Sequence, residues 1–164
     1  MYRVEEGERR PIARRGDMPV LWYDSFTKMD DVIGRGGQLR SFEAVFSPVD
    51  EAGLPKRLWD RDSGQVDPAV AKAWEPYDIS LVLHRDWPRL KPIVAGKLHI
   101  TMGTLDTFYL EGATRLLADR LKELGSDAKV TLVEGASHGS LLTPAYFARV
   151  RREMSEAYWR HHGK

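Results

Sequence analysis

Apolar positions recur at spacings of three and four most clearly in the last third of the chain. Leu110, Ala113, Leu117, Leu121 and Leu124 form one stripe, which is the period of an amphipathic helix. Gly125 follows where a helix C-cap takes a glycine. The run Lys129–Glu134 alternates little and is β-branched, the pattern of a buried parallel strand. Leu98–Met102, ahead of the striped segment, is a second short apolar run of strand type. Thr143-Pro144 then opens a last helix, with Phe147, Val150, Met154 and Tyr158 on one stripe and Arg149, Arg151, Arg152 and Glu153 mostly toward water. Residues 98–164 therefore read strand, helix, strand, helix, and the middle helix has the length of one crossover in a parallel sheet.

Upstream the pattern is weaker. The first sixty or so residues are dense in Gly, Pro, Asp and Arg and hold only two short apolar runs, Pro19–Tyr23 and Phe42–Phe46, read as short strands or turn-flanking anchors. So long an irregular opening is unusual in a compact domain and points to a functional loop region or a missing partner. Asp67-Pro68 places an N-cap before a proline at the first helical position, so a short helix is expected over about Pro68 to Trp74. Asp78 caps a second short helix, ISLVLHRDW, which Pro88 and Pro92 are expected to end. The 164 residues suit one domain in three stretches: 1–66 loop-rich, 67–97 short helices, and 98–164 the strand and helix alternation.

Charge narrows the function classes. With 25 Lys+Arg against 24 Asp+Glu, no net basic field favours nucleic acid or an anionic membrane surface. The absence of cysteine removes disulfides, thiol nucleophiles and zinc–thiolate sites. No apolar run approaches the roughly 18 residues of a membrane span, and the opening residues lack a signal-peptide core. A soluble chain is expected, cytoplasmic if Met1 is the true start. His84 and the terminal His161 and His162 lack further ligands, so no metal is expected, and no cofactor either. Gly34-Arg35-Gly36-Gly37 has the glycine content of a backbone anion nest, but with no strand before it and no clear helix after it an ordinary turn is the favoured reading.

The chemistry gathers in the last third. Asp106 follows one strand-like run and Gly103, while His138 follows the next and Gly135. Both then lie at the carboxyl edge of the sheet, where ligand sites of open α/β folds collect. A carboxylate on one ring nitrogen fixes the histidine tautomer and leaves the other nitrogen free to take a proton from a nucleophile. Structural roles compete with this reading: Asp106 also suits a helix N-cap, and a loop histidine bonds readily to backbone. The acid-then-histidine order agrees with the Ser, Asp, His order of α/β-hydrolases.

The phrases GKLHI, MGTLDTFYL and EGASHG resemble the closing third of esterase-type α/β-hydrolases, the group that includes enterobactin-esterase-like proteins. GRGGQLRSFEAVFSP, LPKRLWDRDSGQVDPAVAKAWEPYD and WPRLKPIVAGKL are similar to the region these proteins carry between nucleophile and acid, so the resemblance runs from about Asp24 onward. It implies a partial α/β-hydrolase sheet, with Asp106 as triad acid and His138 as general base. None of Ser25, Ser41, Ser47, Ser63, Ser80, Ser126, Ser137, Ser140 or Ser155 stands in a strand, Gly-x-Ser-x-Gly, helix context. The expectation is thus the C-terminal part of a serine carboxylic-ester hydrolase whose nucleophile lies outside this chain, inactive by itself and cleaving a small-molecule ester when complete. Its exposed sheet edge would be covered by the N-terminal half or by a second copy. The competing class is a non-catalytic hydrolase-like remnant that binds a partner or dimerises.

Overall fold

The structure, a computed structural model, describes residues 1–163. It is a mixed α/β chain that divides into two compact units, Met1–Asp86 and the residues from Trp87 onward.

In the first unit, β1 (Pro11–Arg15) and β2 (Met18–Trp22) pair as an antiparallel hairpin. Its tight turn is made by Gly16-Asp17, with Gly16 at a φ of +60° that suits a residue without a Cβ. The chain continues into α1 (Tyr23–Ile33), a single 3-10 turn at Gly34–Gly36, and α2 (Gln38–Phe46). These elements correct the loop-rich reading of residues 1–66, and they place Phe42–Phe46 in a helix instead of a strand. The local pattern is weak because the helices are held by carboxylates distant in sequence. Buried Asp30 of α1 accepts from the Leu39 and Arg40 amides at 3.3 and 3.4 Å and so caps α2. The carboxylate sits at the first turn of α2 against the glycine-rich segment, and a Cβ on Gly37 would strike it.

Buried Glu43 of α2 accepts from Arg61 Nη2 at 2.7 and 2.8 Å and from the Leu58 amide at 3.0 Å. The Arg61 guanidinium lies over the Trp59 ring. Tyr2, Leu39 and Trp59 form the small apolar core beside this pair, and the Tyr2 hydroxyl donates to the Arg61 carbonyl. Removing either charge would strand the other out of water, which is the costly way to break a buried pair.

The Asp67 carboxylate caps α3 (Pro68–Trp74) on the Ala69 and Val70 amides, as its Asp-Pro start predicts. A 3-10 turn at Glu75–Tyr77 leads to α4 (Ile79–Val94), whose Leu81 amide donates to Asp78. The predicted break at Pro88 and Pro92 does not occur, because α4 runs through both. The prolines are four residues apart and so share one face, where each removes a backbone donor. Leu83 and Trp87, away from that face, are buried and hold the helix in place.

The second unit contains β3 (His99–Gly103), α5 (Leu110–Glu123), β4 (Lys129–Val133) and α6 (Pro144–His162). Strands β3 and β4 are parallel and in register from His99 opposite Lys129 to Gly103 opposite Val133. Leu121 of α5 is buried, Gly125 ends the helix at φ +62°, and Thr143 caps α6 on the Tyr146 amide. On α5, Leu110 is exposed and Thr114 takes a buried place instead. Helix α6 is turned relative to its predicted face. Phe147, Met154 and Tyr158 are exposed, whereas Arg149 donates to Thr101 and Glu153 meets His99. The polar contacts to β3 decide which way this helix faces.

Candidate active site

Two loops leave the carboxyl ends of β3 and β4 and are tied together by backbone. The Thr104 amide donates to the Val133 carbonyl and the Leu105 amide to the Ala136 carbonyl, each at 3.0 Å. The Gly135 amide donates to Thr104 Oγ1 at 2.9 Å. Gly103 permits this approach, since a Cβ there would run into the Ala136 backbone carbonyl. Gly135 supplies the turn out of β4 at φ +69°.

This stitching brings together the two residues singled out from the sequence. His138 Nδ1 lies 2.8 Å from Asp106 Oδ2. The second carboxylate oxygen, Oδ1, accepts from the Phe108 amide at 2.8 Å and the Leu110 amide at 3.3 Å. Asp106 therefore serves both roles that its position suggests: one oxygen caps the entry to α5 and the other faces the imidazole. The αL conformation of Tyr109 (φ +59°) lets the chain turn into the helix while both amides point back at the acid.

Burial divides the pair sharply. Asp106 is 1% exposed, whereas the His138 side chain is 51% exposed. The Phe108 ring meets the imidazole edge-on at 5.1 Å and limits its rotation. An ionised carboxylate only accepts, so a neutral His138 carries its proton on Nδ1 and presents the Nε2 lone pair outward. Such a group can accept a proton from a hydroxyl or a water, and the adjacent carboxylate stabilises the imidazolium that results.

Among the described residues, no serine hydroxyl bonds to His138. The nearest in sequence, Ser137 and Ser140, bond to each other, Oγ to Oγ at 3.2 Å, with Ser137 N donating to Ser140 Oγ. Ser41, Ser47, Ser63 and Ser126 are engaged with Gly37, Trp74, Asp60 and Ala128 respectively. The described residues hold no cluster of three or more His, Cys, Asp or Glu side chains suited to a metal ion. His162 lies against the Tyr158 ring. No described helix is long and apolar enough to cross a membrane.

Sequence reasoning missed a second pair. His99 Nδ1 lies 2.7 Å from Glu153 Oε2 at the opposite end of β3. The bond to His99 holds the Glu153 carboxyl below its ordinary 4.5, against the opposing effect of burial, and the charges of His99, Arg149 and Lys129 add to the lowering. Its only sequence signal is a histidine opening a strand, which does not reveal an acid 54 residues on. Comparisons with family models, with curated proteins and with solved structures find no match to the chain.

Proposed function

We propose that this chain supplies the acid and the general base of a serine carboxylic-ester hydrolase of α/β-hydrolase type, with Asp106 orienting His138 and the nucleophilic serine on a segment outside it. The observation that carries this reading is the 2.8 Å contact between a buried, amide-held carboxylate and an exposed imidazole at the carboxyl edge of a parallel strand pair. The exposed Lys129 and Thr131 of β4 and the exposed Phe147, Met154 and Tyr158 of α6 support it too. Parallel sheets are normally covered on both faces, so β3 and β4 read as the end of a wider sheet completed by other strands.

In the complete enzyme, Nε2 of His138 takes the seryl proton as the serine oxygen adds to the ester carbonyl. The same nitrogen returns that proton to the departing alkoxide as the acyl-serine forms. A water, deprotonated by His138, then releases the carboxylic acid and restores the serine. Asp106 remains ionised throughout and stabilises the imidazolium in each half-reaction.

The test is the coding sequence upstream of Met1, followed by p-nitrophenyl ester hydrolysis by the joined protein. An in-frame Gly-x-Ser-x-Gly turn, with hydrolysis that falls about a thousandfold or more in His138→Gln, is the expected result. The chain alone should stay near the buffer rate, since it lacks a nucleophile and an oxyanion hole. A longer chain without such a turn would favour the binding-module reading instead, and activity that survives His138→Gln would remove the general-base role from His138.

A further inference from the structure

Three helix ends in the first unit converge on an aromatic cup that the hydrolase reading does not use. Phe46 closes α2, Trp74 closes α3, and Tyr77 ends the 3-10 turn before α4. The Phe46 ring centroid lies 5.3 Å from that of Trp74 and 5.1 Å from that of Tyr77, tilted by 59° and 53°. A bond from the Trp74 indole N–H to Ser47 Oγ at 2.9 Å fixes the largest wall. The space they line, with Leu81, is about 240 Å³ and opens to solvent.

Two acidic residues, Glu75 and Asp78, also line this space. Neither pairs with a cationic side chain among the described residues, and Asp78 uses one oxygen to cap α4 on the Leu81 amide. Aromatic faces are the negative side of the ring quadrupole and attract a cation within about 6 Å of the centroid. Two uncompensated acids beside them exclude an anion. The Trp74 N–H is already committed to Ser47, which leaves the Tyr77 hydroxyl as the one side-chain donor among these lining residues. An alkylated ammonium fits best, because it is weakly hydrated and needs no acceptor deep in the cup.

We infer that this cup binds a quaternary ammonium group. The inference does not rest on the hydrolase reading, and its test involves no ester. Isothermal titration of the full chain with choline is compared with titration by 3,3-dimethyl-1-butanol, which has the same shape and no charge. Choline should bind about tenfold more tightly than the neutral isostere. Tyr77→Leu, which keeps an apolar side chain at an exposed position, should lose about that factor with an unchanged circular dichroism spectrum and urea midpoint. Glu75→Gln should weaken choline severalfold and leave the isostere unaffected. A short peptide carrying trimethyl-lysine distinguishes the source: tighter binding than choline assigns the group to a protein side chain, and equal or weaker binding to a free small molecule. Equal affinity for choline and the isostere, no binding of choline, or a Tyr77→Leu protein with unchanged affinity would overturn the inference.

Discussion

Strand β3 has a histidine–carboxylate pair at each end, and the two are almost the same length, 2.7 Å for His99 with Glu153 and 2.8 Å for His138 with Asp106. What separates them is how the acid is held. Asp106 is 1% exposed, and its second oxygen is taken by two backbone amides. Glu153 lies on a helix with its side chain 31% exposed, and its second oxygen has Arg149 only at 3.9 Å, one helical turn away. The histidines differ in the reverse sense, for the His138 side chain is 51% exposed and that of His99 31%. A buried, amide-held acid behind an open imidazole is arranged to orient a base, whereas a partly exposed acid on a partly exposed imidazole ties a helix to a strand. Distance alone would rank the two pairs equally.

Asp106→Ala is expected to have the largest effect of any change that tests this contrast. It strands the Phe108 and Leu110 amides and removes the histidine's partner, at a cost of about 2–4 kcal/mol in unfolding free energy. Asp106→Asn keeps an amide acceptor and should recover more than half of that loss. Urea denaturation of the full chain measures both. Glu153→Ala should move the midpoint much less, since an exposed pair contributes little. Equal losses at the two acids would end the distinction.

Gly103→Ala comes next. The added methyl meets the Ala136 carbonyl, which is backbone and cannot swing aside. The two loops must part, at about 1–3 kcal/mol, and His138 should drift from Asp106. Nitrogen-15 shifts of the two imidazoles read this directly: the His138 signals should change while those of His99 remain. In the unaltered chain, the neutral His138 ring should show a protonated Nδ1 and a bare Nε2. Asp106→Asn should weaken that tautomer preference, because an amide can face the ring with either its oxygen or its nitrogen.

The better-held pair was also the one legible in the sequence. Asp106 and His138 each follow a strand and a glycine, one crossover apart, so local pattern and topology agree on where they meet. The alternative reading of Asp106 as a helix cap was equally sound, since a carboxylate has two oxygens and the structure uses both. The His99 pair was hidden because it depends on the rotation of α6, which the stripe Phe147, Val150, Met154 and Tyr158 predicts wrongly. Phe147, Met154 and Tyr158 of that stripe are exposed, and the contacts of Arg149 and Glu153 to β3 orient the helix. The same reason obscured α1 and α2, whose anchoring carboxylates reach 9 and 18 residues along the chain. Pro88 and Pro92 misled in the opposite direction, because a local rule about helix breaking was overridden by the burial of Leu83 and Trp87.

The smallest expected effect sharpens the comparison from the side of the exposed pair. The Glu153 carboxyl titrates below its ordinary 4.5, chiefly through its bond to His99, with Arg149 and Lys129 assisting. A carboxyl whose pKa is lower folded than unfolded binds fewer protons in the native state. Its contribution is therefore present above about pH 4.5 and lost as the pH falls through the folded value. Carbon-13 titration of the Glu153 carboxyl should show the depressed pKa, and His99→Ala should return it most of the way to 4.5. An unchanged titration in His99→Ala would assign the shift to Arg149 and Lys129 instead. The link from α6 to β3 would then be a matter of general charge, and β3 would carry a specific histidine–carboxylate pair at only one of its ends.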